Sequence, residues 1–83
     1  MADEEKLRDI IKALQDLLED ETVPKNVTKK IKSTIEILSK EDEELSIRVH
    51  KALNELDELA DDVNMQPYTR TQIWNIVSAL EAV

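Results

Sequence analysis

The chain has 83 residues, a formal net charge of −8, and neither glycine, cysteine nor phenylalanine. The absence of glycine disfavours β-hairpins with tight turns, and the absence of cysteine excludes disulfides, thiol catalysis and the common structural zinc sites. The negative charge argues against unaided binding to nucleic acids or anionic membranes, and no apolar stretch approaches the roughly 20 residues that span a bilayer. We therefore expect one soluble, acidic, all-helical domain over residues 1–83, located in the cytoplasm and without a signal or transit peptide.

The first two helices are predicted from apolar residues that recur with helical spacing. The first covers residues 3 to about 20 and begins with three acidic residues, which the helix dipole favours at that end. The second begins at Thr22-Val23-Pro24, because proline is tolerated in a first helical turn. The residues expected to face inward are Leu7, Ile10, Ile11, Leu14, Leu17 and Leu18 in the first helix and Val27, Ile31, Thr34, Ile35 and Leu38 in the second.

The third helix is predicted to follow the second after a very short break. Ser39-Lys40-Glu41-Asp42 resembles a capping box, in which the first side chain binds an amide of the new helix. The longest connection follows this helix and covers residues 61–68. The residues expected to face inward in the third helix are Leu45, Val49, Ala52, Leu53, Leu56, Leu59 and Ala60.

The start of the fourth helix carries several local signals. Thr69 is the predicted N-cap, and Gln72 is placed to complete a capping box with it. Tyr68 before the cap and Ile73 inside the helix are placed to form a hydrophobic staple. The helix is predicted from about Arg70 to Ala82. Its expected inward residues are Ile73, Ile76, Val77 and Leu80.

A pattern with a period of 42 residues relates the two halves of the chain. Leu7, Ile11, Leu14, Leu17 and Asp20 correspond to Val49, Leu53, Leu56, Leu59 and Asp62, and Ile31, Ile35 and Leu38 correspond to Ile73, Val77 and Leu80. The pattern fits a duplicated helical hairpin, or two unrelated hairpins of similar length. Two hairpins are too few for an open solenoid. The predicted fold is therefore a single antiparallel, up-and-down four-helix bundle, which the pattern allows to be built from two helical hairpins.

Two short motifs resemble the signature of a known family. They are Thr69-Arg70-Thr71 followed by Ile73-Trp74, and the earlier Val23-Pro24-Lys25-Asn26. Through them the chain is similar, over essentially its whole length, to a small archaeal UPF-type family of short uncharacterised proteins. The resemblance implies a compact four-helix, up-and-down bundle and no known activity, so no catalytic residues carry over. Tyr68 stands where a histidine is more readily expected, which argues against a metal or acid–base site in this loop.

The residue types needed for catalysis or metal binding are missing or scattered. His50 is the only histidine, and it has no cysteine or second histidine with which to share a zinc ion. Residues 61–64 lack the glycine and terminal glutamate of a twelve-residue calcium loop. Serine nucleophiles and phosphate-cradling loops need glycines that the chain does not have. The sequence therefore predicts a non-enzyme with no catalytic residues, no cofactor, no metal and no small-molecule ligand.

The remaining hypotheses concern macromolecular partners. Lys25, Lys29 and Lys32 form a basic stripe that suggests nucleic acid, but the net charge, the nearby Glu36 and the presence of only two aromatic residues argue against it. The favoured function is a small non-catalytic protein-interaction or assembly module, which binds a protein partner or a second copy of itself. The alternative is a nucleic-acid or translation accessory factor, or an enzyme whose site the sequence does not display.

A candidate interaction surface is predicted from large side chains that a four-helix core does not need. Its members are Tyr68, Arg70, Trp74, Ile47 and Ile37. Tryptophan is enriched among interface hot spots, and Arg70 is placed one turn earlier to stack on the Trp74 ring. The competing interpretation is that Trp74 folds over the bundle and fills a gap left by Ala52 and Ala60. Arg70 also opposes the dipole of its own helix, so we expect a carboxylate of residues 61–62 or 19–21 to pair with it.

Overall fold

The computed structural model describes residues 2–62 and 65–83. These ranges contain four helices, α1 (Ala2–Leu18), α2 (Lys25–Ser39), α3 (Leu45–Ala60) and α4 (Pro67–Glu81), which turns separate. The described residues contain no β-strand. Each helix packs against the next one in sequence, and α1 also packs against α4. The prediction of an all-helical protein with four helices is confirmed.

The core is built from the apolar stripes that the helical spacing predicted. Its side chains are at most 7% exposed. They are Leu7, Ile10, Leu14, Leu17, Val23, Val27, Ile31, Leu38, Ala52, Leu56, Leu59, Met65, Ile73, Ile76 and Leu80. Val23 and Met65 belong to the loops before α2 and α4, so these loops also contribute to the core. Other residues expected inward are only half-buried, because they lie on the flanks of their stripes: Ile11, Leu18, Ile35, Leu45, Val49, Leu53, Ala60 and Val77.

The ends of α2 and α3 differ from the prediction. Ser39 is the last residue of α2, and α3 begins only at Leu45 after an extended Glu44. The Lys40 amide donates to the Ile37 carbonyl at the end of α2, and residues 40–44 form the turn that leads to α3. The proposed capping box at Ser39 is therefore wrong. Pro24 also lies just outside α2, where it is the N-cap without a side-chain hydrogen bond.

The start of α4 also differs, because the helix begins two residues before the predicted cap. Pro67 is its first residue, and a proline there has a suitable φ and gives up no helical hydrogen bond. Thr69 consequently lies inside the first turn, where its side chain is buried and only 2% exposed. Gln72 donates from Nε2 to Tyr68 Oη at 3.2 Å instead of closing a capping box. Tyr68 is 67% exposed, so the predicted hydrophobic staple is wrong as well.

This correction changes the expected effect of substituting Thr69. A capping threonine would lose about 1 kcal/mol of stability when its hydroxyl is removed. The buried Thr69 instead contributes through packing, and a valine keeps its shape. We expect Thr69→Val to keep the free energy of unfolding within about 0.5 kcal/mol of that of the native chain. Urea denaturation followed by circular dichroism measures it, and a loss near the capping value would restore Thr69 as the cap.

The described residues of the two halves have matching secondary structure at the 42-residue offset. The last residue of α1, Leu18, and the last residue of α3, Ala60, are 42 residues apart. The first residues of α2 and α4 are also 42 residues apart, and so are their last residues. The turns match as well. The Asp20 amide donates to Leu17 at 3.2 Å and the Asp62 amide to Leu59 at 3.0 Å, and the amides of Val23 and Met65 donate back to Asp20 and Asp62. In the described residues, the two halves therefore share the same order of elements, a helix, a turn and a helix.

Two arginines bind backbone carbonyls where a helix ends. Arg48 is 7% exposed, and its Nη1 donates to the Leu38 carbonyl in the last turn of α2 at 3.0 Å. Arg70 donates from Nη2 to the Asp62 carbonyl, just beyond α3, at 2.9 Å. A cation is favoured at this end of a helix because the dipole there is negative and carbonyls lack partners. The partner expected for Arg70 was a carboxylate, and the observed one is a main-chain carbonyl. Arg48 was not anticipated at all.

Candidate functional site

The five residues of the predicted interaction surface differ in exposure. Tyr68, Trp74 and Ile47 are 67%, 54% and 45% exposed, and they are the large apolar side chains most open to solvent in the described residues. Arg70 is half-buried and bound to the Asp62 carbonyl. Ile37 is half-buried and packs against the core, so it is less available to a partner than the sequence suggested.

Helical geometry separates Tyr68 from Trp74. Six residues apart on α4, they point about 120° away from each other, since each residue turns the helix by about 100°. Tyr68 lies on the flank that faces α1, whereas Trp74 and Arg70 lie on the other flank. The structure thus does not gather Tyr68 and Trp74 on one face of α4. Because Trp74 is largely exposed, the competing idea that it fills a gap in the core is wrong, while its role in an interface stays a prediction.

The exposure of Trp74 has a spectroscopic consequence. It is the only tryptophan, so the emission reports its surroundings alone. At low micromolar concentration we expect red-shifted emission and efficient acrylamide quenching, because water and quencher reach the ring. A dilution series over three orders of magnitude then tests self-association through this residue. Protection that grows with concentration would indicate a dimer surface at Trp74, and blue-shifted emission at all concentrations would contradict its exposure.

The remaining sequence candidates stay apart in the structure. His50 is exposed on α3, and Lys25, Lys29 and Lys32 are exposed on α2. Within residues 2–62 and 65–83, no three histidine or carboxylate side chains are placed to hold a metal ion. None of the helices in these ranges combines the length and the apolar character that crossing a membrane requires. These findings assign no chemistry to any of the candidates.

A groove that the sequence did not reveal runs between α1 and α4. We call it the α1–α4 groove, and its volume is about 750 Å³. Within the two helices it extends from Lys6 to Leu17 and from Tyr68 to Ala79, about 12 residues in each, which corresponds to about 18 Å of helix. Its lining residues come only from α1, the turn after it, and α4 with its end. They are Lys6, Asp9, Ile10, Ala13, Asp16, Leu17, Asp20, Tyr68, Gln72, Asn75, Ile76, Ala79 and Ala82.

The floor of the α1–α4 groove is apolar, and its rims differ in charge. Ile10, Leu17 and Ile76 form the floor, where each shows only a few per cent of its surface. Three alanines, which are too small to fill the space between the helices, complete the apolar lining. The α1 rim carries Lys6, Asp9, Asp16 and Asp20, and the α4 rim carries only the uncharged Tyr68, Gln72 and Asn75. The groove therefore combines apolar surface with one acidic edge.

Hydrogen bonds fix the polar groups at one end of the groove. Asp20 accepts from the Thr22 hydroxyl at 2.7 Å and from the Thr22 amide at 2.9 Å. These bonds, the hydroxyl first, lower the pKa of Asp20, so the carboxylate stays charged at neutral pH. On the opposite rim, Gln72 and Tyr68 bond to each other. Among the described residues, neither Asp9 nor Asp16 has an ion-pair partner.

One signal in the sequence could have revealed this groove. At the 42-residue offset, Ala13 corresponds to Glu55, Ala79 to Ile37 and Ala82 to Lys40. The helix pair α2–α3 thus has long side chains where the pair α1–α4 has alanines. Reading the repeat for differences instead of similarities would have pointed to a less filled contact between α1 and α4. An apolar floor with an acidic edge suits the binding of an apolar and cationic surface.

Comparisons with known proteins identify relatives of this chain and a solved structure with a similar fold. A UPF0147 protein of Methanocaldococcus jannaschii is 42% identical to this chain over 96% of the chain and 86% of the relative. A UPF0147 protein of Thermoplasma volcanium is 38% identical over 98% of the chain and 91% of the relative. The crystal structure of a protein from the uncharacterised family UPF0147 from Thermoplasma acidophilum is 39% identical, with a TM-score of 0.92 over 96% of this chain and 94% of that one.

The family model described as "Uncharacterised protein family (UPF0147)" matches residues 1–83. This match confirms the family resemblance that the two short motifs suggested, and the relatives named above are archaeal, as expected. The family description assigns no activity. The chain belongs to the UPF0147 family.

Proposed function

We propose that this chain is a non-catalytic protein-interaction module, and that its α1–α4 groove binds a helical segment of a partner protein. The open apolar floor between α1 and α4 carries this proposal. A groove of this kind accepts the apolar face of an amphipathic helix, which is a common mode of peptide recognition. Asp9 and Asp16 on the α1 rim are exposed to solvent, so a polar or charged group of a partner can reach them.

The proposal includes the arrangement of the helices as one antiparallel, up-and-down bundle. Neighbouring helices pack in the order α1, α2, α3, α4 and back to α1, and the connections are short. Short connections favour antiparallel neighbours in helical bundles. The absence of cysteine is compatible with a reducing cytoplasm, which is the proposed setting.

The groove is best understood by comparison with the helix pair α2–α3, which is its equivalent at the 42-residue offset. There Ile37 packs against the core, and Lys30 pairs with Glu55 and Glu58. In the groove the residues corresponding to Lys30, Ile37 and Glu55 are Gln72, Ala79 and Ala13, which are shorter or uncharged. A partner helix lying on these residues would supply the apolar contact that Ile37 provides in α2–α3.

Transferring side chains from α2–α3 tests this proposal. The variant A13E/Q72K/A79I/A82K places in the groove the residues found at the equivalent positions, so we expect it to fold and to fill the groove. Its formal charge changes by +1, and D57N on the exposed face of α3 is a control with the same change. The probes are three 14-residue amphipathic peptides with leucine on one face and lysine, glutamine or glutamate on the other.

Amide chemical shifts in two-dimensional NMR spectra report where each peptide binds. We expect at least one peptide to shift amides of α1 and α4 around the groove in the native chain and in D57N. The filled variant should keep a dispersed spectrum and lose these shifts. The proposal fails if no peptide shifts the groove amides, or if the filled variant binds as tightly as the native chain.

A further inference from the structure

We infer that the partner helix of the α1–α4 groove is basic, with lysine or arginine side chains along the edge that lies against α1. This inference rests on the proposed function and adds the charge of the partner. It follows from Asp9, Asp16 and Asp20 on the α1 rim, together with the pairing of Glu58 and Asp62, the carboxylates equivalent to Asp16 and Asp20.

Carboxylates at the equivalent positions of α2–α3 are paired within the chain. Asp62, equivalent to Asp20, accepts a hydrogen bond from Asn26 Nδ2 at 2.7 Å. Glu58, equivalent to Asp16, forms an ion pair and a hydrogen bond with Lys30. The bond to Glu58 raises the pKa of Lys30, so the ammonium of Lys30 stays charged at neutral pH.

The groove keeps the carboxylates but lacks the groups that pair with them. Tyr68 stands at the position of Asn26, and Gln72 at the position of Lys30, and these two side chains bond to each other. Neither of them carries a positive charge. In the described part of the chain neither Asp16 nor Asp9 has an ion pair, and both are exposed, so a cation of another molecule can reach them.

The spacing of the carboxylates suits a helical partner. Asp9 and Asp16 lie seven residues apart on the flank of α1 that faces the groove, about 10 Å along the helix, and Asp20 follows in the turn after α1. Two cations on one flank of a facing helix, separated by about two turns, would meet Asp9 and Asp16. Lys6 at the far end repels a cation, so no basic residue of the partner is expected beyond Asp9.

Helix α2 of a second copy meets these requirements poorly. The exposed lysines of α2 lie among other polar side chains, at Asn26 and Glu36, so they offer no apolar strip for the groove floor. A short basic amphipathic helix from a different protein satisfies both the floor and the acidic rim.

The lysine, glutamine and glutamate peptides also test the charge of the partner. We expect the lysine peptide to bind the groove about tenfold more tightly than the glutamine peptide, since two partly exposed ion pairs supply a difference of this size. In D9N/D16N this preference should disappear. Asp20 is left unchanged because its bonds to Thr22 hold the turn. D42N/D57N carries the same change in charge at exposed positions outside the groove, and it should keep the preference.

Each result separates the charge of the partner from the function of the groove. If the glutamine peptide binds the groove as tightly as the lysine peptide, or if D42N/D57N loses the preference as D9N/D16N does, this inference is wrong while the groove remains a binding site. If no peptide shifts the groove amides, the proposed function itself fails. Sedimentation equilibrium of the native chain tests whether a second copy of the chain occupies the groove. A dimer that the filled variant no longer forms would assign the groove to a second copy and overturn the inference.

Discussion

Leu38→Ala and Leu80→Ala are each expected to lower the free energy of unfolding by about 2–5 kcal/mol. Both side chains are fully buried, and they are equivalent at the 42-residue offset. Removing their methyl groups loses apolar burial and leaves a cavity that the helices fill only partly. A domain of this size has a total stability of only about 5–15 kcal/mol, so each change should shift the urea midpoint strongly.

The leucine at position 18 provides the control for this experiment. It is half-buried at the end of α1, so Leu18→Ala should cost clearly less than either core substitution. If the two hairpins have equivalent cores, the losses at Leu38 and Leu80 should agree within about 1 kcal/mol. A loss below about 1 kcal/mol at either position would mean that the side chain does not sit in a filled core.

Arg48→Ala is expected to cost about 2–3 kcal/mol, which is large for the substitution of an arginine. The charged hydrogen bond from Arg48 to the Leu38 carbonyl is lost, and bonds to charged groups contribute about 1.5–3 kcal/mol. The aliphatic part of the side chain is also buried and loses its packing. Urea denaturation measures the change, and Arg8→Ala on the exposed face of α1 is the control, with an expected effect within about 0.5 kcal/mol.

A second substitution distinguishes the two contributions of Arg48. Arg48→Met keeps an aliphatic side chain of similar reach and removes the donor. It should recover part of the loss if packing dominates, and none of it if the bond to the carbonyl dominates. The Nε atom of Arg48 is buried and has no hydrogen-bond partner in the described residues, so its desolvation already opposes the stabilising bond. An Arg48→Ala loss below about 0.5 kcal/mol would show that the two effects cancel.

The proposal of a binding groove changes the importance of the candidate residues. Tyr68 lines the groove, so it belongs to the proposed binding surface. Trp74, Arg70, Ile47 and Ile37 do not line it. An interface at Trp74 is thus a separate prediction, which the fluorescence experiment tests independently of peptide binding.

The helices and their core residues could be predicted from the sequence because each depends on local spacing. Leu14, Leu56, Ile31 and Ile73 repeat on one face of their helices, and all four are fully buried as expected. The 42-residue repeat was also visible, because both hairpins use the same apolar spacing. These features need only the periodicity of a helix and the burial of apolar groups.

Local patterns were insufficient where several helices act together. Threonine is a common N-cap residue, but α4 begins at Pro67, two residues before Thr69. The side chain of Thr69 is buried instead. Arginine is usually a surface residue, and the carbonyl that accepts the hydrogen bond of Arg48 belongs to a different helix. Its position between Leu45 and Ala52 on the inward face was the available signal.

The sequence by itself determined four amphipathic helices, their repeat and most of their buried residues, because these follow from side chains a few positions apart. Only the tertiary structure decided where α3 and α4 begin, which carbonyls Arg48 and Arg70 bind, and where an open groove remains. Each of these depends on the distance between residues of different helices. Ala13 and Ala79 show the reason, since an alanine is compatible with a filled contact or an open one, and only the approach of α1 to α4 distinguishes them.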